Sequence, residues 1–229
     1  MKKILCFAPH PDDEILGCGG SLIKAIKKSY QVHLCYITFG EQGSATINPK
    51  DLKQIRKKEA IKVCHHLTIP SSNIHFLGIP DNEINWHDLG AMKKIMVLVR
   101  IIKPDIVYLP HERENYHDHQ QTNLLVMRAL GMAGSDNFFE SDGKGWWVET
   151  VLAYEVWTPM DRFQYSEDIS NEIDQKIEAL KIYSSQSSSK GNTSDFVGEK
   201  ARHISGYRAA MTIGEHREVF QVLRLGKIL

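Results

Sequence analysis

The chain has 229 residues, 42% of them hydrophobic, and its 28 Lys and Arg residues balance 28 Asp and Glu residues. This length suits a single α/β domain and allows a sizeable buried core. The balanced charge gives no electrostatic case for binding nucleic acid or an anionic membrane, so we expect a small-molecule substrate.

Two simple sequence features bear on the compartment. The four cysteines (Cys6, Cys18, Cys35 and Cys64) form no C-x-x-C pair, and we interpret them as free thiols of a reduced compartment. The N-terminal apolar run Ile4–Ala8 is shorter than the roughly 7–15 residues of a secretory signal, and no run of about 18 apolar residues is present. We therefore expect a cytoplasmic protein that does not span a membrane.

The first half of the chain alternates short apolar runs, typical of strands buried on both faces, with segments of helical periodicity. The predicted strands are Ile4–Ala8, Val32–Phe39, Ile74–Leu77 and Ile106–Leu109. The predicted helices are Ile15–Lys28, Asp51–Leu67 with Asp51 as the N-cap, and Leu89–Ile102. This alternation predicts a parallel sheet with crossover helices.

The second half is less regular. It contains predicted helices at His119–Gly131, Ser170–Tyr183 and Phe196–Met211 and a predicted strand at Val148–Trp157. The remaining segments are a loop over Phe138–Trp147, a Ser-rich connector over Ser184–Thr193 and a closing segment, Glu218–Leu225, whose structure the pattern does not specify.

Polar clusters follow each of the first four predicted strands. They are His10–Glu14, Gly40–Ser44, Gly78–Glu83 and His111–His119. Open parallel sheets bind ligands at the carboxyl ends of their strands, so we expect the four clusters to converge on one rim.

The first cluster, Pro9-His10-Pro11-Asp12-Asp13-Glu14, has the residue types of a catalytic zinc site. Imidazole nitrogen and carboxylate oxygen both bind zinc, and a tight turn lets His10 and Asp13 face one point. Asp12 would then lie beside the metal, where a general base belongs. The alternative is that Asp12 and Asp13 only cap the following helix.

The second cluster holds three histidines within nine residues. An isolated histidine is more often a surface or core residue than a ligand, but this cluster follows a strand at the expected rim. We therefore predict that one of His111, His117 and His119 binds the metal, and we expect His111 to be a bystander.

The glycines after the first cluster do not form a phosphate loop. Gly17, Gly19 and Gly20 match neither the G-x-G-x-x-G nor the P-loop pattern. We interpret them as sites of close packing between the helix and the sheet.

Other polar and aromatic residues have two interpretations each. Arg56 and Glu59, one helical turn apart, could form a solvated ion pair, and Asp81 could serve a turn rather than a substrate. Three tryptophans could lie in the core or stack on a sugar: Trp146, Trp147 and Trp157.

The segment Ala8-Pro9-His10-Pro11-Asp12-Asp13-Glu14 resembles the signature of the LmbE-like, or PIG-L-type, zinc N-deacetylases. The resemblance continues through most of the chain. Its further blocks are Thr38–Glu41, Arg56–Ala60, Leu77–Asp81, Asp118-His119, Lys176–Leu180 with Ser185-Gln186, and the region from Arg202 to Phe220.

This resemblance implies a Rossmann-like three-layer α/β sandwich with a mostly parallel sheet, as one domain over residues 1–229. It also implies hydrolysis of the N-acetyl group of an N-acetylglucosamine-type amino sugar or its conjugate, with release of acetate. By position, the resemblance gives one zinc ion per chain on His10, Asp13 and His119 and a general base at Asp12. It also places Arg56 and Asp81 at substrate-contacting positions.

The chain departs from the family pattern at three positions. Where the family has the first His of His-x-Asp-His, this chain has Tyr116, so either Tyr116 or, after a one-residue deletion, His117 takes the oxyanion or acid role. A tyrosine hydroxyl can stabilise an oxyanion but carries protons less readily than histidine near neutral pH. Phe39 replaces an Asp before Gly40, and Tyr183 replaces a His before the Ser-Gln pair.

Two alternative functions stay open at this point. The chain could be a metal-dependent amidase acting on another N-acyl amine conjugate, or a non-catalytic sugar-binding member of the family. His and Asp ligands also accept iron, cobalt or manganese. Members of the family often assemble, so the resemblance also raises a homo-oligomer as an expectation.

Overall fold

The computed structural model describes residues 1–138, 143–188 and 196–226, without the side chains of Ser187, Ser188 and Phe196. Its strands are β1 (Lys3–Ala8), β2 (Gln31–Tyr36), β3 (Ile74–Phe76), β4 (Ile106–Pro110), β5 (Thr150–Tyr154), β6 (Tyr165–Asp168) and β7 (Arg217–Arg224). Its helices are α1 (Asp13–Lys27), α2 (Pro49–His66), α3 (Leu89–Ile102), α4 (His117–Ala133), α5 (Ile173–Lys181), α6 (Ser184–Ser188) and α7 (Phe196–Ala210).

The described strands form one seven-stranded sheet of order β3-β2-β1-β4-β5-β7-β6. The five strands from β3 to β5 pair in parallel, whereas β7 is antiparallel to both β5 and β6. The mostly parallel sheet predicted from the sequence is therefore confirmed, with an antiparallel edge added to it.

Alternate residues of the central strand β1 enter two different cores. Ile4, Cys6 and Ala8 pack in the cluster that includes residues of α1, α2, α5 and α7. Leu5 and Phe7 pack in the cluster that includes residues of α3 and α4. Because strand side chains alternate between faces, a continuous apolar strand is what a sheet covered on both sides requires, and this gives the three-layer sandwich.

The first half of the chain follows the predicted elements closely, and helix α3 has the predicted bounds. The prediction of Asp51 as a helix cap was wrong. Helix α2 begins at Pro49, and the cap is Asn48, whose side-chain oxygen accepts a hydrogen bond from the Asp51 N–H at 3.0 Å. Proline suits the first position of a helix because that position needs no N–H donor.

The second half differs more. The predicted strand Val148–Trp157 is shorter, ending at Tyr154, because the amides of Val156 and Trp157 donate to a side chain instead of a neighbouring strand. Strand β6 was not predicted: Tyr165-Ser166-Glu167-Asp168 is short, polar and lies at the sheet edge. The closing segment proves to be strand β7. Residues 139–142 of the predicted loop and 189–193 of the Ser-rich connector lie outside the described residues.

Helix α1 is kinked, and β7 stabilises the kink. Cys18 has a non-helical φ of −140°, and the N–H groups of Gly20 and Ser21 donate to the Glu218 carboxylate at 2.8 Å each. The Lys176 ammonium pairs with the same carboxylate at 2.7 Å. A buried charge is tolerated only when it is paired and hydrogen-bonded, and Glu218 meets both conditions.

The glycines of α1 pack closely against their neighbours; the predicted packing against the sheet is confirmed at Gly17, which faces Tyr154 of β5, whereas Gly20 faces Ile169, which follows β6. A Cβ at Gly17 would overlap the Tyr154 ring, and one at Gly20 would lie 2.7 Å from Ile169. Gly131 in α4 contrasts with them, since a Cβ there would meet nothing within 4 Å.

We expect Gly17→Ala to destabilise the protein by about 1–3 kcal/mol, because the added methyl group overpacks the interface with Tyr154. Gly131→Ala is the matched control and should stabilise the protein by up to about 1 kcal/mol through its higher helix propensity. Urea unfolding midpoints measure both effects. A Gly17→Ala midpoint equal to that of the unmodified chain would show that the packing constraint is absent.

The cysteines are buried and free, as predicted. Burial raises the pKa of the Cys6 thiol, whose sulfur lies 3.6 Å from that of Cys18, so both groups favour the neutral thiol form. Among the described residues, no helix is both long and apolar enough to cross a bilayer.

Two histidines meet between β2 and the edge strand β3. His33 Nδ1 and His75 Nε2 lie 3.2 Å apart, with the rings stacked. Burial lowers the pKa of His33 to about 4, and positive charge on His75 and Lys3 acts in the same direction. Burial also lowers the pKa of His75.

We expect the stability of the fold to decrease as the pH falls from about 6.5 towards about 4. Over this range an unfolded chain protonates both histidines, whereas in the folded chain His33 stays neutral and the lowered pKa of His75 makes that ring harder to protonate, so protons favour unfolding. His33→Gln should flatten the pH dependence of the urea midpoint. The matched control is His66→Gln, which changes an exposed helical histidine. An unchanged slope for His33→Gln would contradict this assignment.

Candidate metal centre

The turn between β1 and α1 places His10 and Asp13 on one side. The Asp13 N–H donates to the His10 carbonyl oxygen at 3.3 Å, and the His10 N–H donates to Asp13 Oδ2 at 3.0 Å. These two bonds close a tight turn, so the ring and the carboxylate are neighbours without any help from distant residues.

Asp12 occupies the N-cap position of α1 with a φ of 128°, a conformation that side-chain-bearing residues rarely adopt. Such backbone costs on the order of 1–3 kcal/mol and persists only where its surroundings hold it. Its side chain makes no capping hydrogen bond. Asp13, in the first turn, accepts a hydrogen bond from the His10 N–H, outside the helix. The alternative that Asp12 and Asp13 only cap the helix is therefore wrong.

Helix α4 brings the third member of the group, His119, to this turn. His119 Nε2 lies 3.3 Å from Asp13 Oδ2, and His10 Nδ1 lies 3.1 Å from the same oxygen. The three side chains each offer one ligand atom, and these atoms all lie within 4.8 Å of one another. Two imidazoles and a carboxylate are a donor set that suits a catalytic zinc ion with an open position.

The other nitrogen of His10 faces carboxylates. His10 Nε2 lies 3.0 Å from Asp81 Oδ1 and 3.4 Å from Asp118 Oδ2. With its proton on Nε2, the ring keeps the Nδ1 lone pair for a metal, and carboxylate partners of this kind orient metal-binding histidines. Burial opposes a charge on the ring, but the hydrogen bonds to the carboxylates, that to Asp118 foremost, raise the pKa of His10 well above its usual value.

The centre carries an excess of buried negative charge. Four nearly inaccessible carboxylates share it: Asp12, Asp13, Asp81 and Asp118. Arg56 pairs with Asp12 and the His10 ring contacts the other three, yet one oxygen of Asp118 has no hydrogen-bond partner among the described residues. A divalent cation between the imidazoles would offset this excess, so the residues present fit a metal ion.

Arg56 fixes the base candidate from helix α2. Its guanidinium donates to Asp12 Oδ1 at 3.0 Å, to the Gly40 carbonyl oxygen at 3.1 Å and to the Pro11 carbonyl oxygen. Burial raises the pKa of Asp12 to about 7, against the opposing effect of the Arg56 charge. A carboxyl group with a pKa in this range is suited to exchanging protons near neutral pH.

The interpretation of Arg56 and Glu59 as a solvated ion pair was wrong. Both side chains are buried, and each has other partners. Glu59 accepts hydrogen bonds from the Ser184 hydroxyl at 3.1 Å, the Ser185 N–H at 2.9 Å and the Ser185 hydroxyl at 2.6 Å, which ties α6 to α2.

The structure places Tyr116 and His117 differently. Tyr116 is 55% exposed, lies against the ring of His119 with centroids 5.8 Å apart and lines the cavity above the centre. His117 Nε2 lies 3.1 Å from the Ile84 carbonyl oxygen, away from the cavity lining. His111 is buried against the Thr158 carbonyl oxygen at 2.8 Å, as expected of a bystander.

Sequence reasoning missed Glu114, which joins two loops of the rim. Its fully buried carboxylate accepts hydrogen bonds from the N–H groups of Val156, Trp157 and Thr158, at 2.6–3.3 Å. The one sequence feature that could have indicated a role for Glu114 is its position within the second histidine cluster. Its partners lie 42–44 positions later in the chain, too far for any local pattern to predict the contact.

The cavity over the centre has a volume of about 270 Å³. Residues of its lining that the sequence singled out are His10, Asp12, Asp13, Arg56, Asp81, Tyr116, His119 and Trp157. The other lining residues are Gln42, Gly43, Asn82 and Gln186, which belong to the predicted polar clusters and to the Ser-Gln pair. Four separate loops contribute, so the predicted convergence of polar clusters on one rim is confirmed.

The three tryptophans have different positions. Trp157 lines the cavity, which favours a substrate contact for it. Trp146 packs against the second core and donates its indole N–H to the Pro104 carbonyl oxygen at 2.8 Å. Trp147 is exposed beneath the Arg224 guanidinium, 3.7 Å from its ring centroid.

Two other departures from the family pattern lie off the cavity lining. Phe39 is buried, stacks on Phe76 and lies beneath the Lys53 ammonium. Tyr183 is buried beneath the turn that carries Asp12, where its hydroxyl donates to Glu14.

Known proteins resemble the chain in sequence and in structure. Over 195 aligned residues it is 28% identical to a diacetylchitobiose deacetylase of Thermococcus kodakarensis, covering 81% of this chain and 70% of that protein. The solved N,N'-diacetylchitobiose deacetylase of Pyrococcus horikoshii superposes with a TM-score of 0.84 at 24% identity, covering 97% of this chain and 84% of that one.

The fold also carries other chemistry. GalB, a 4-carboxy-2-hydroxymuconate hydratase of Pseudomonas putida KT2440, superposes with a TM-score of 0.82 at 20% identity over the whole of both chains. The fold alone therefore does not fix the reaction. The family is fixed by sequence, because residues 5–130, more than half of the chain, match the family described as PIG-L: GlcNAc-PI de-N-acetylase. This chain belongs to the PIG-L family.

Proposed function

We propose that the protein is a zinc-dependent hydrolase that removes the N-acetyl group of an N-acetylglucosamine-type amino sugar or its conjugate and releases acetate. The observation that carries this proposal is the convergence of His10, Asp13 and His119 beside Asp12, at the base of a cavity. Membership of the PIG-L family and the deacetylase relatives support the substrate class.

His10, Asp13 and His119 are the proposed ligands, one zinc ion per chain. A zinc ion held there would supply Lewis-acid chemistry, lowering the pKa of water and polarising an amide carbonyl. Asp81 and Asp118 hold the His10 ring from its other side, which orients its Nδ1 towards Asp13.

Asp12 is the proposed general base. It precedes the proposed ligand Asp13 in the sequence and lines the cavity. Its Oδ1 binds Arg56 rather than a ligand histidine. This placement lets Asp12 remove the proton of the attacking water and return a proton to the leaving amine. Arg56 keeps the carboxylate in one orientation, which reduces the reorganisation needed during the reaction.

Tyr116 is the proposed donor to the developing oxyanion. Of the two alternatives, Tyr116 lines the cavity beside His119, whereas the His117 ring is bonded to the Ile84 backbone. A phenolic hydroxyl is an adequate hydrogen-bond donor for an oxyanion.

Arg56 and Asp81 are the proposed substrate-contacting residues, and Trp157 lines the same cavity. Each charged residue is fixed by neighbours: Arg56 by backbone oxygens, and Asp81 by the Gln42 N–H, which donates to its Oδ2 at 2.8 Å. Groups fixed in this way bind a sugar hydroxyl without losing side-chain entropy.

We expect Asp12→Asn to retain about one zinc per chain and to lose acetate release by at least about 10²-fold, because the amide cannot accept the proton of water. Metal content by mass spectrometry and acetate release from a panel of N-acetylglucosamine conjugates measure the two effects. Asp161→Asn, an exposed aspartate outside the site, is the matched control and should leave both unchanged.

The possible results of this experiment distinguish the proposed function from its alternatives. Near-normal turnover by Asp12→Asn would refute the base assignment. Bound zinc without acetate release from any conjugate by the unmodified protein would indicate an amidase for another acyl group or a sugar-binding role. Absence of bound metal after loading with zinc would refute the metal site.

We expect Tyr116→Phe to lower kcat by about 10²-fold through loss of an oxyanion donor, whereas His117→Gln should retain most of the activity. Steady-state kinetics on the same conjugate compare the two variants directly. The reverse ranking would assign the role to His117 and require its ring to leave Ile84 during the reaction.

A further inference from the structure

Glu14, next to the proposed ligand Asp13, is fully buried and lies below the centre rather than in the cavity lining. Its Oε2 accepts a hydrogen bond from the Asp12 N–H at 3.1 Å. Its Oε1 accepts hydrogen bonds from the Tyr183 hydroxyl at 2.6 Å and the Tyr36 hydroxyl at 3.0 Å. One carboxylate therefore connects two tyrosines to the backbone of the proposed base.

The Asp12 peptide needs such a partner because its backbone is strained. Asp12 has a φ of 128°, and Glu14 accepts the hydrogen bond of its N–H in this conformation. The Asp12 carbonyl accepts from the Leu16 N–H at 2.9 Å, and Arg56 binds the preceding carbonyl at Pro11. The Asp12 carbonyl also accepts from the Ile15 N–H at 3.1 Å. Together these bonds fix the peptide groups on both sides of Asp12, and Glu14 provides the one to the Asp12 N–H.

Tyr183 is itself fixed. It is 1% exposed and lies between α5 and α6, where its N–H donates to the Leu180 carbonyl oxygen at 3.0 Å. The next two residues, Ser184 and Ser185, are tied to Glu59 of α2. The Tyr183 hydroxyl thus reaches Glu14 from a rigid support, across 169 residues of sequence.

We propose that Tyr183 is a positioning residue: through Glu14, its hydroxyl holds the strained Asp12 peptide so that the Asp12 carboxylate points into the cavity. The proposal rests on the proposed function, in which Asp12 is the base. The Tyr183 hydroxyl lies off the cavity lining, where it contacts the Glu14 carboxylate and, at 3.3 Å, the Tyr36 hydroxyl. Its backbone carbonyl accepts a hydrogen bond from the N–H of Gln186, a lining residue, at 3.0 Å, and a change confined to the hydroxyl leaves that bond in place. This positioning role also explains why Tyr183 can stand where the family has a histidine, since tyrosine, like histidine, offers a hydrogen-bond donor.

The first test is Tyr183→Phe, which removes one hydroxyl and keeps the ring. We expect kcat for acetate release to fall about tenfold to a hundredfold, with KM and zinc content within about twofold of the unmodified protein, because base placement changes and binding does not. Tyr183→His restores a donor and should recover most of kcat. The matched control is Tyr154→Phe, since the Tyr154 hydroxyl is equally buried and bonds only to the Phe7 carbonyl oxygen in the described structure.

The second readout does not depend on activity. In protein labelled with isotopic aspartate, the Asp12 amide signal, assigned with the Asp12→Asn variant, should show slow hydrogen exchange and should shift in Tyr183→Phe but not in Tyr154→Phe. If Tyr183→Phe does not fold, Tyr36→Phe removes the other hydroxyl donor to Glu14 and should give the same pattern more weakly.

The two proposals fail in different ways. An unmodified protein that releases no acetate refutes the proposed function, and the Asp12 amide signal then decides the positioning proposal by itself. A Tyr183→Phe variant whose kcat and Asp12 amide both match the unmodified protein overturns the positioning proposal. Equal losses of kcat in Tyr183→Phe and Tyr154→Phe would also overturn it, because they would indicate a packing effect common to any buried tyrosine.

Discussion

The concentration of buried carboxylates at the carboxyl ends of the parallel strands is the constraint on which the rest of this structure depends. Isolated carboxylates are costly to bury, so each must find a cation or several hydrogen-bond donors. Asp12 has Arg56, Asp13 has two imidazoles and a backbone N–H, and Asp81 has a ring nitrogen and the Gln42 N–H. The loops after four parallel strands take their shapes from satisfying these groups together.

Local patterns in the sequence were enough to predict the mostly parallel sheet and the rim on which its polar clusters converge. Continuous apolar strands such as β1 indicate a sheet covered on both faces, and the carboxyl-end rule places the clusters that contain His10 and His119 on one rim. The choice of His119 among the three histidines of its cluster came from the family resemblance, and its role as a ligand stays a prediction. The resemblance carried by the first motif predicted the PIG-L family, which the match over residues 5–130 confirms.

Contacts between distant polar residues could not be predicted. The bonds from Glu114 to the amides of Val156 to Thr158, and those from Glu14 to Tyr183, join segments with no shared periodicity. Arg56 illustrates the limit, because its helical spacing to Glu59 suggested a local pair. In the structure each residue has a distant partner instead. Arg56 binds Asp12 in the turn before α1, and Glu59 binds Ser185 in α6. Strand β6 was missed for a related reason, since a four-residue polar edge strand forms only on an existing neighbour.

The position of β7 has a consequence for how the chain acquires its fold during synthesis. This strand, close to the C-terminal end of the described residues, lies between β5 and β6, and its Glu218 also holds the kink of α1 some 198 residues earlier. Until β7 leaves the ribosome, β5 presents an unpaired apolar edge and α1 lacks the acceptor for its kink. Such an edge is prone to pairing with other chains, so the nascent protein is exposed to aggregation until β7 has been made and has paired.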